Sequence, residues 1–497
     1  MAIRLRQVQP ASGGGQLVRH DSVGVLHVIT VKRRFAWAIL VRKAGEIEEK
    51  KQMKRVCLGS RWACLAAATL LVLALGSPAA YGQFIQRSVG GVAVDANGVV
   101  SAPTVEDEQQ LAQVRETALA EAPADLNAPA ELRGVSLKQL EATIAKCRAE
   151  GRPLPEEVQF LAGLQRVEYV LVYPDQHDIV LAGLAEGWRM DALGNVVGTT
   201  TGRPVVLLDD LIVALRTSES SRLEAISCSI DPTPEGMQRL QTLLSGLRTV
   251  GDPQTTVSRI EEALGPQMVS VTGVPPSSHF ARAMVAADFR MKRLAMNFQP
   301  APVDNMPSFL HLVSSRSSSM TPRWWLAAKY EPLARDAQGL TWQIRGQGVQ
   351  CLTEEDHFNA SGERQQSGKA SAAAQQWAQT LTERYSELAD HDSAFGQLRN
   401  AMDLAVVAAL IDKEQLLARA GLELPQLLQE VSVAEYPSPK QVASKASFVK
   451  RRGNYTISAS GGVQILPWQI ADRTEESTTV EAVRGQLSAD SDNWWLQ

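Results

Sequence analysis

The sequence predicts an α+β (mixed α/β) fold, with strands and amphipathic helices in two or more globular units and β-hairpins near both ends. Three observations support this class. Val residues alternate over 88–100 around an Asn-Gly pair, as in a hairpin. Apolar residues recur at helical spacing after capping residues at several positions. Short apolar runs of strand length alternate with those helices, which is typical of layered α+β proteins.

The first element in chain order has the three parts of a secretory signal. Residues 53–61 are basic, Ala63–Leu75 is an uncharged apolar core, and small residues lead to a predicted cleavage site before Gln83. A membrane-spanning helix needs about twenty apolar residues. We therefore favour a cleaved signal peptide over 53–82 to a membrane anchor, and we expect no stable transmembrane span after cleavage.

Residues 1–52 precede this signal, carry ten Lys/Arg against four Asp/Glu and show no sustained periodicity. We interpret them as a disordered extension upstream of a true start at Met53; the alternative is a genuine long leader or cytoplasmic arm. The first 82 residues hold 13 of the 50 Lys/Arg and 4 of the 54 Asp/Glu, which leaves 37 and 50 and a net charge of −13. Such an acidic chain lacks the basic surface that nucleic acids and anionic membranes bind.

The exported part is then divided by composition. Three cysteines remain in it, so at most one disulfide can form and one thiol is left over. The predicted segments are an N-terminal hairpin and acidic linker (83–132), an α/β domain (133–300), a Pro/Ser-rich linker (301–322), a second α+β unit ending in apolar helices (323–435), and a C-terminal hairpin and tail (436–497).

Capping and turn residues define the elements of 133–300. Ser136 begins a capping box, and Thr233 precedes a proline at the first position of another helix. Two buried strands are predicted within Val167–Gly183, joined by the polar turn PDQHD. A short helix begins at Asp209 or Asp210, and a longer one is capped by Ser277 or Ser278.

The second unit begins with a Trp-rich strand and continues into two helices. The run Leu404–Ile411 is almost entirely apolar and is predicted to lie inside a globular core. Alternating apolar residues on both sides of Gly461-Gly462 predict a final hairpin over 454–471.

Several long strings resemble an uncharacterised family of predicted exported bacterial proteins, known mainly from planctomycetes. The resemblance extends over about residues 90–470, implies an envelope or secreted location, and implies no activity or functional residue. The strings are LAEGWRMDALGNVVGTTTGRPVVLLDDLIVAL (184–215), SCSIDPTPEG (227–236), GVPPSSHFARAMVAADFRMKRL (273–294), QIRGQGVQCLTEEDHF (343–358) and FGQLRNAMDLAVVAALI (395–411).

Two residue pairs are candidates for catalysis. Asp175 and His177 place a carboxylate beside an imidazole, but a tight turn between strands also requires polar residues. Ser447 and Lys450 match the Ser-x-x-Lys spacing of penicillin-interacting enzymes, without the partner motifs of those enzymes. For both pairs we favour the structural alternative, a turn and a basic loop.

No metal or cofactor is predicted. The five histidines of 83–497 lack the spacing of a zinc site, and His279 and Asp288 are too far apart on one helix to form a dyad. The acidic stretch 354–357 could bind a hard cation, although we favour a solvated loop.

The terminal pair Trp494 and Trp495 either docks onto the body or contacts a partner. Together these features favour an exported, non-catalytic structural or interaction protein of the cell envelope with a protein or glycan partner. The alternative is an exported hydrolase acting on peptide, glycan or ester substrates through one of the two candidate pairs.

Overall fold

The computed structural model describes residues 88–104, 119, 122–246, 252–313, 322–358, 364–366, 369–451, 454–456, 459–487 and 494–496. The predicted extension 1–52 and signal peptide 53–82 lie outside these residues, as does most of the predicted acidic linker. The described part is a mixture of helices and strands in mixed sheets. The predicted α+β class is therefore confirmed.

The strands are mostly short. In chain order they are β1 (Ser88–Val89), β2 (Val92–Val94), β3 (Val99–Ser101), β4 (Ala130–Ser136), β5 (Tyr169–Tyr173), β6 (Asp178–Ala185), β7 (Trp188–Met190), β8 (Val196–Gly198), β9 (Ile226–Pro232), β10 (Gln267–Thr272), β11 (Pro322–Lys329), β12 (Leu333–Arg335), β13 (Thr341–Gln343), β14 (Gly348–Phe358), β15 (Arg364–Gln366), β16 (Gln441–Val442), β17 (Ser447–Arg451), β18 (Asn454–Thr456), β19 (Ser460–Ile465), β20 (Thr474–Glu476) and β21 (Trp495–Leu496).

The helices range from one turn to about six turns. They are α1 (Ala124–Asn127), α2 (Leu137–Ala149), α3 (Glu156–Gln159), α4 (Leu208–Thr217), α5 (Pro234–Gly246), α6 (Pro253–Leu264), α7 (His279–Ala295), α8 (Phe309–Leu312), α9 (Ala372–Glu383), α10 (Tyr385–His391), α11 (Ser393–Lys413), α12 (Leu416–Ala420), α13 (Pro467–Ala471) and α14 (Glu481–Arg484).

Local capping chemistry explains where several helices begin. The Ser136 hydroxyl accepts a hydrogen bond of 3.1 Å from the backbone N–H of Gln139 at the start of α2. Thr233 does the same for Gly236 in α5, at 3.0 Å. Ser278 caps α7 by accepting from Ala281 at 3.1 Å. Each bond satisfies an N–H that has no partner inside its helix, so these three predicted helix starts are confirmed.

Two larger sheets organise the described strands. The larger sheet has the order β1-β2-β3-β16-β10-β9-β19-β11-β14-β15, and the smaller has the order β20-β12-β13-β5-β6-β4-β21. β19 lies between β9 and β11, antiparallel to the first and parallel to the second. In the smaller sheet β5 pairs with β13. Strands from both sides of the predicted linker thus pair with each other in both sheets.

The predicted division into separate units at 301–322 does not match this pairing. All described residues belong to one compact unit that spans Ser77–Gln497. Within the predicted linker, Phe309 is fully buried and packs edge-on against Trp324 at 4.9 Å between ring centroids. Pro and Ser are typical of linkers, but they also occur in segments that pack against a core. Composition alone therefore did not distinguish the two.

The C-terminal region contains a hairpin, but its strands differ from those predicted. β17 and β18 form it, whereas β19 enters the larger sheet and does not return onto β18. Gly461 and Gly462 lie in β19 opposite Trp324 of β11 and the β9 backbone. They permit a close backbone approach that a side chain would block. Their role is therefore packing within a central strand.

Helix α11 is the centre of the helical layer and packs against α4, α7, α10 and α13. Among the described residues it is the helix long and apolar enough to cross a membrane by length and composition. Its apolar window is 100% buried inside the fold. The prediction that Leu404–Ile411 lies in a globular core is therefore confirmed.

Of the five cysteines in the sequence, three belong to the described residues, Cys147, Cys228 and Cys351, and these are buried and unpaired. Burial raises the pKa of the Cys228 and Cys351 thiols well above the ordinary value. A protonated, buried thiol is a poor nucleophile. These residues therefore act as apolar core groups in the described fold.

Helix α7 carries a buried ion pair beside two of these thiols. The Lys292 ammonium donates to Asp288 Oδ2 at 2.8 Å and to the Ile230 carbonyl oxygen at 2.9 Å. Burial raises the pKa of Asp288 to about 6, although Lys292 opposes that shift. The carboxyl group is therefore easier to protonate in the folded chain than in the unfolded chain, where its ordinary value is 3.8.

This pair predicts a specific pH dependence of stability. Because the pKa of Asp288 is raised in the folded state, the protonated carboxyl group contributes to the unfolding free energy. That contribution is fully present below pH 3.8 and is lost as the pH rises through about 6. Relative to Asp288→Asn, the wild type should lose about 3 kcal/mol of unfolding free energy across that window. Urea denaturation of both proteins at several pH values measures the difference. Parallel stability curves would contradict the prediction.

Candidate functional site

The first predicted catalytic pair lies on an exposed turn. Asp175 is in the short 3₁₀ turn Pro174–Gln176 that joins β5 to β6, as the turn interpretation predicted. His177 follows with a left-handed φ of 53° and its Nδ1 lies 3.1 Å from the Ala420 carbonyl oxygen. Both side chains are exposed. The pair therefore does not line a cleft where a substrate could be held.

The second predicted pair lies on β17, and the basic loop that we favoured is a strand. The Ser447 hydroxyl donates to the Met296 carbonyl oxygen at 3.1 Å. Ser447 lines an open groove together with Glu261 and Lys445, which are 3.4 Å apart. The side chain of Lys450 lies outside the described residues. In the described structure the Ser447 hydroxyl thus bonds to a backbone carbonyl oxygen and not to a catalytic side chain.

The terminal tryptophans dock onto the body. Trp494 is 6% exposed, and its carbonyl oxygen accepts from the Ser136 N–H at 2.9 Å. Trp495 begins β21 and pairs with Val135 of β4. Trp494 is consequently buried by the chain itself, as the docking alternative predicted, whereas Trp495 is half-buried and its predicted partner contact stays a prediction. A short strand at the sheet edge holds the chain end in place.

The acidic stretch 354–357 belongs to β14 and not to a loop. The side chains of 355–357 lie outside the described ones. Among the described residues no group of three or more His, Cys, Asp or Glu side chains could hold a metal ion.

A cavity of about 580 Å³ gathers polar groups from distant parts of the chain. We call it the His279 cavity. Pockets that hold small molecules typically have volumes of roughly 300–1,000 Å³, apolar walls and a few polar groups. Its walls include Phe160, Val205 and Leu208. Its polar lining comprises Ser88, Glu156, Gln159, Asn195, Asp209, His279, Gln397, Ser432 and Tyr436.

Two helix N-termini position the polar groups at one side of the cavity. Asp209 and Asp210 lie in the first turn of α4, where carboxylates are favoured by the helix dipole. His279 is the first residue of α7, directly after its cap. Because α4 and α7 pack together, the two starts meet, and His279 Nδ1 lies 2.8 Å from Asp210 Oδ2.

The His279–Asp210 pair is buried, with each side chain 4% exposed. With the proton on Nδ1, the imidazole donates to the carboxylate and its Nε2 is an acceptor. Asp210 Oδ1 is buried and has no hydrogen-bond partner among the described residues. The carboxylate thus fixes the imidazole ring in one orientation.

Asp209 and Tyr436 lie beside this pair. Asp209 Oδ2 accepts from the Ala434 N–H at 3.1 Å. Burial raises the pKa of Asp209, and the neighbouring Asp210 raises it further. The Tyr436 ring stands edge-on to the imidazole at 5.7 Å, and burial raises the pKa of its hydroxyl. This side of the cavity combines carboxylates with aromatic rings.

A second polar side is built from amides. Asn195 Oδ1 accepts from the Gly90 N–H at 2.9 Å and from Gln397 Nε2 at 3.3 Å. Gln397 Oε1 and Ser88 Oγ have no hydrogen-bond partner among the described residues, although both residues are buried. An unpaired buried polar atom is costly. Both atoms are themselves enclosed by the fold, so they are costly groups beside the cavity and not contacts for its contents.

The His279 cavity was not predicted from sequence. The sequence excluded a dyad of His279 with Asp288, and the structure gives each a different partner, Asp210 and Lys292. The available signal was that Asp209-Asp210 and Ser278-His279 both stand at predicted helix starts. Their meeting depends on how α4 packs on α7, which no local pattern encodes.

The His279–Asp210 pair lacks a bonded nucleophile among the described residues. A hydrolase of the Ser–His or Cys–His type needs a hydroxyl or thiol within hydrogen-bonding reach of the imidazole. Within the described part of the chain, the hydrogen bond of the His279 side chain is to Asp210, and no hydroxyl or thiol bonds to it. The arrangement is suited to holding a polar group.

Residues 228–309 match a family described as a protein of unknown function (DUF1598). The matched stretch runs from β9 to the first residue of α8 and contains all of α7 with His279. It agrees with the resemblance to an uncharacterised family over these residues. No curated protein and no solved structure matches the chain. The family description names no activity.

Proposed function

We propose that this chain is an exported, non-catalytic protein of the cell envelope that binds a small organic ligand in the His279 cavity. The observation that carries the proposal is the convergence of polar residues on one cavity from β1, α4, α7, α11 and the segment after α12 that contains Tyr436. With a volume of about 580 Å³ and apolar walls that carry a few polar groups, the cavity has the size and lining of a small-molecule site.

The alternative of an exported hydrolase has less support. Asp175 and His177 lie on an exposed turn, and the described contact of the Ser447 hydroxyl is with a backbone carbonyl. His279 has a carboxylate partner but no bonded nucleophile among the described residues. If the chain hydrolysed an ester, glycan or peptide and His279→Ala abolished that activity, the alternative would replace our proposal.

Export rests on the sequence alone. The signal-like segment 53–82 and the charge of −13 for the rest of the chain support it. An envelope protein or glycan as a further partner stays a prediction. Determining the N-terminus of the protein recovered from cell-envelope fractions tests export. A peptide from residues 1–52 in that material would overturn the predicted start and cleavage.

Ligand binding is tested by thermal-shift screening of the full chain against a library of small amines, acids, alcohols and sugars. We expect at least one compound to raise the midpoint temperature, because a ligand that binds the folded state stabilises it. Ser432 is exposed and lines the cavity. Replacing it with tryptophan should fill the opening and abolish the shift without changing the midpoint of the free protein.

Glu435→Trp is the matched control. Glu435 is exposed in the same segment and does not line the cavity. Its variant should bind as the wild type does. The proposal fails if no compound shifts the midpoint at millimolar concentration, or if Ser432→Trp responds like the wild type.

A further inference from the structure

We infer that the His279 cavity selects an organic cation, a protonated amine with an apolar body, and that Asp209 is its counter-ion. This inference rests on the proposed function, because it names the class of ligand for the same cavity. It follows from the charge of the lining, from the surroundings of the Asp209 carboxylate and from the hydrogen-bonding chemistry that the lining offers.

The lining is acidic. Asp209 and Glu156 line the cavity, and none of the described lining residues is Lys or Arg. Asp210 adds a third carboxylate behind the imidazole of His279. The nearby guanidinium of Arg282 donates to the carbonyl oxygens of Val92 and Pro437, at 3.1 and 3.3 Å. Carboxylates thus outnumber the cationic groups around the cavity, and the resulting field attracts a cation.

Asp209 has no Lys or Arg partner among the described residues. Its described hydrogen bond comes from a neutral backbone N–H, that of Ala434. The residue is half-buried, and a carboxylate that loses hydration without gaining a cation is destabilised. Burial is likewise the first cause of its raised pKa, which His279 partly opposes. A bound ammonium group would offset this cost.

The hydrogen-bonding chemistry of the lining also favours a donor. A protonated amine brings donors only, which pair with the carboxylate oxygens of Asp209 and Glu156. A carboxylate or phosphate ligand would bring acceptors, which cannot pair with them. The apolar walls around Phe160 and Val205 then suit the carbon body of such a ligand.

Helix N-termini commonly bind anions, so α4 and α7 offer a competing argument. At α4 the first turn already contains Asp209 and Asp210. At α7 the Ser278 hydroxyl accepts from the Ala281 N–H. The negative charge of the α4 carboxylates disfavours an anion at that helix, and Ser278 already caps α7, so we favour the cation.

The test is isothermal titration calorimetry of the full chain with two matched trios. One trio is 2-phenylethylamine, 2-phenylethanol and phenylacetate, and the other is hexylamine, hexanol and hexanoate. We expect the amine of a trio to bind at least about tenfold more tightly than its alcohol. Asp209→Asn should remove most of that preference and change alcohol binding by less than about twofold. The asparagine keeps an oxygen that can accept from Ala434.

Asp252→Asn is the matched control. Asp252 caps α6 and accepts from the Thr255 N–H, but it lies outside the cavity lining. Its variant should retain the amine preference. Equal binding of alcohol or carboxylate overturns the inference, as does an unchanged preference in Asp209→Asn.

Absence of binding by both amines also overturns the inference. The proposed function is judged separately, by the library screen and Ser432→Trp. Neutral or anionic compounds that bind in that screen would leave the proposed function standing while the choice of a cation fails.

Discussion

Replacing Gly461 with alanine is expected to cost at least about 4 kcal/mol of unfolding free energy and to leave little soluble protein. Gly461 has a φ of 138°, which side chains rarely adopt. A Cβ there would collide with the Trp324 carbonyl oxygen. The collision is with backbone in the middle of the larger sheet, where β19 is held on both sides by β9 and β11. The structure therefore has no flexible group that can move aside.

Gly151→Ala separates strain from collision. Gly151 also has a positive φ, 63°, but a Cβ there would meet nothing within 4 Å. We expect it to cost about 1 kcal/mol from backbone strain alone. Soluble yield and urea denaturation compare the two variants. Similar stabilities would show that the close approach of β19 to β11 is not a constraint on the fold.

The second large effect is expected at Asp403, a fully buried residue of α11. Its carboxylate accepts from Arg166 Nε at 2.8 Å and from the Tyr330 hydroxyl at 2.7 Å. Burial alone would lower the pKa of Arg166, but Asp403 outweighs it and the pKa is raised. Asp403→Ala should lower the unfolding free energy by about 3–5 kcal/mol, because it leaves the largely buried guanidinium without the carboxylate that bonds it.

Glu387→Ala is the control for this pair. Glu387 bonds Arg384 at 2.7 Å on the protein surface, within one helix turn. Exposed pairs of this kind contribute little, so its urea midpoint should match that of the wild type. Equal losses for Asp403→Ala and Glu387→Ala would contradict the role of burial. Partial recovery in Asp403→Asn, which keeps an accepting oxygen, would separate hydrogen bonding from charge.

Features determined by neighbouring residues were predictable from the sequence. The caps Ser136, Thr233 and Ser278 act within three residues of themselves. The turn at 174–177 joins two adjacent antiparallel strands, so its polar residues and the flanking apolar runs form one local pattern. Periodicity also placed Leu404–Ile411 in the core, since only a fully surrounded helix is apolar on every face.

Features that depend on distant contacts were not predictable. The alternation of 460–465 fits a hairpin as well as a central strand, and only tertiary structure places it between β9 and β11. The sequence similarly shows His279 and Asp210 as two separate helix starts 69 positions apart. Their contact requires the packing of α4 on α7. The candidate site thus came from the fold, while most helix starts came from the sequence.

The placement of β19 has a consequence for how the chain acquires its structure. This strand comes from near the C-terminus, yet it separates β9 from β11, which are made much earlier. Until residue 465 is available, those two strands present open edges to each other and to other chains. Folding of the larger sheet is thereby delayed until β19 has been synthesised, and such non-local pairing is slow. A chain ending before β19 should aggregate, whatever its N-terminal half can form alone.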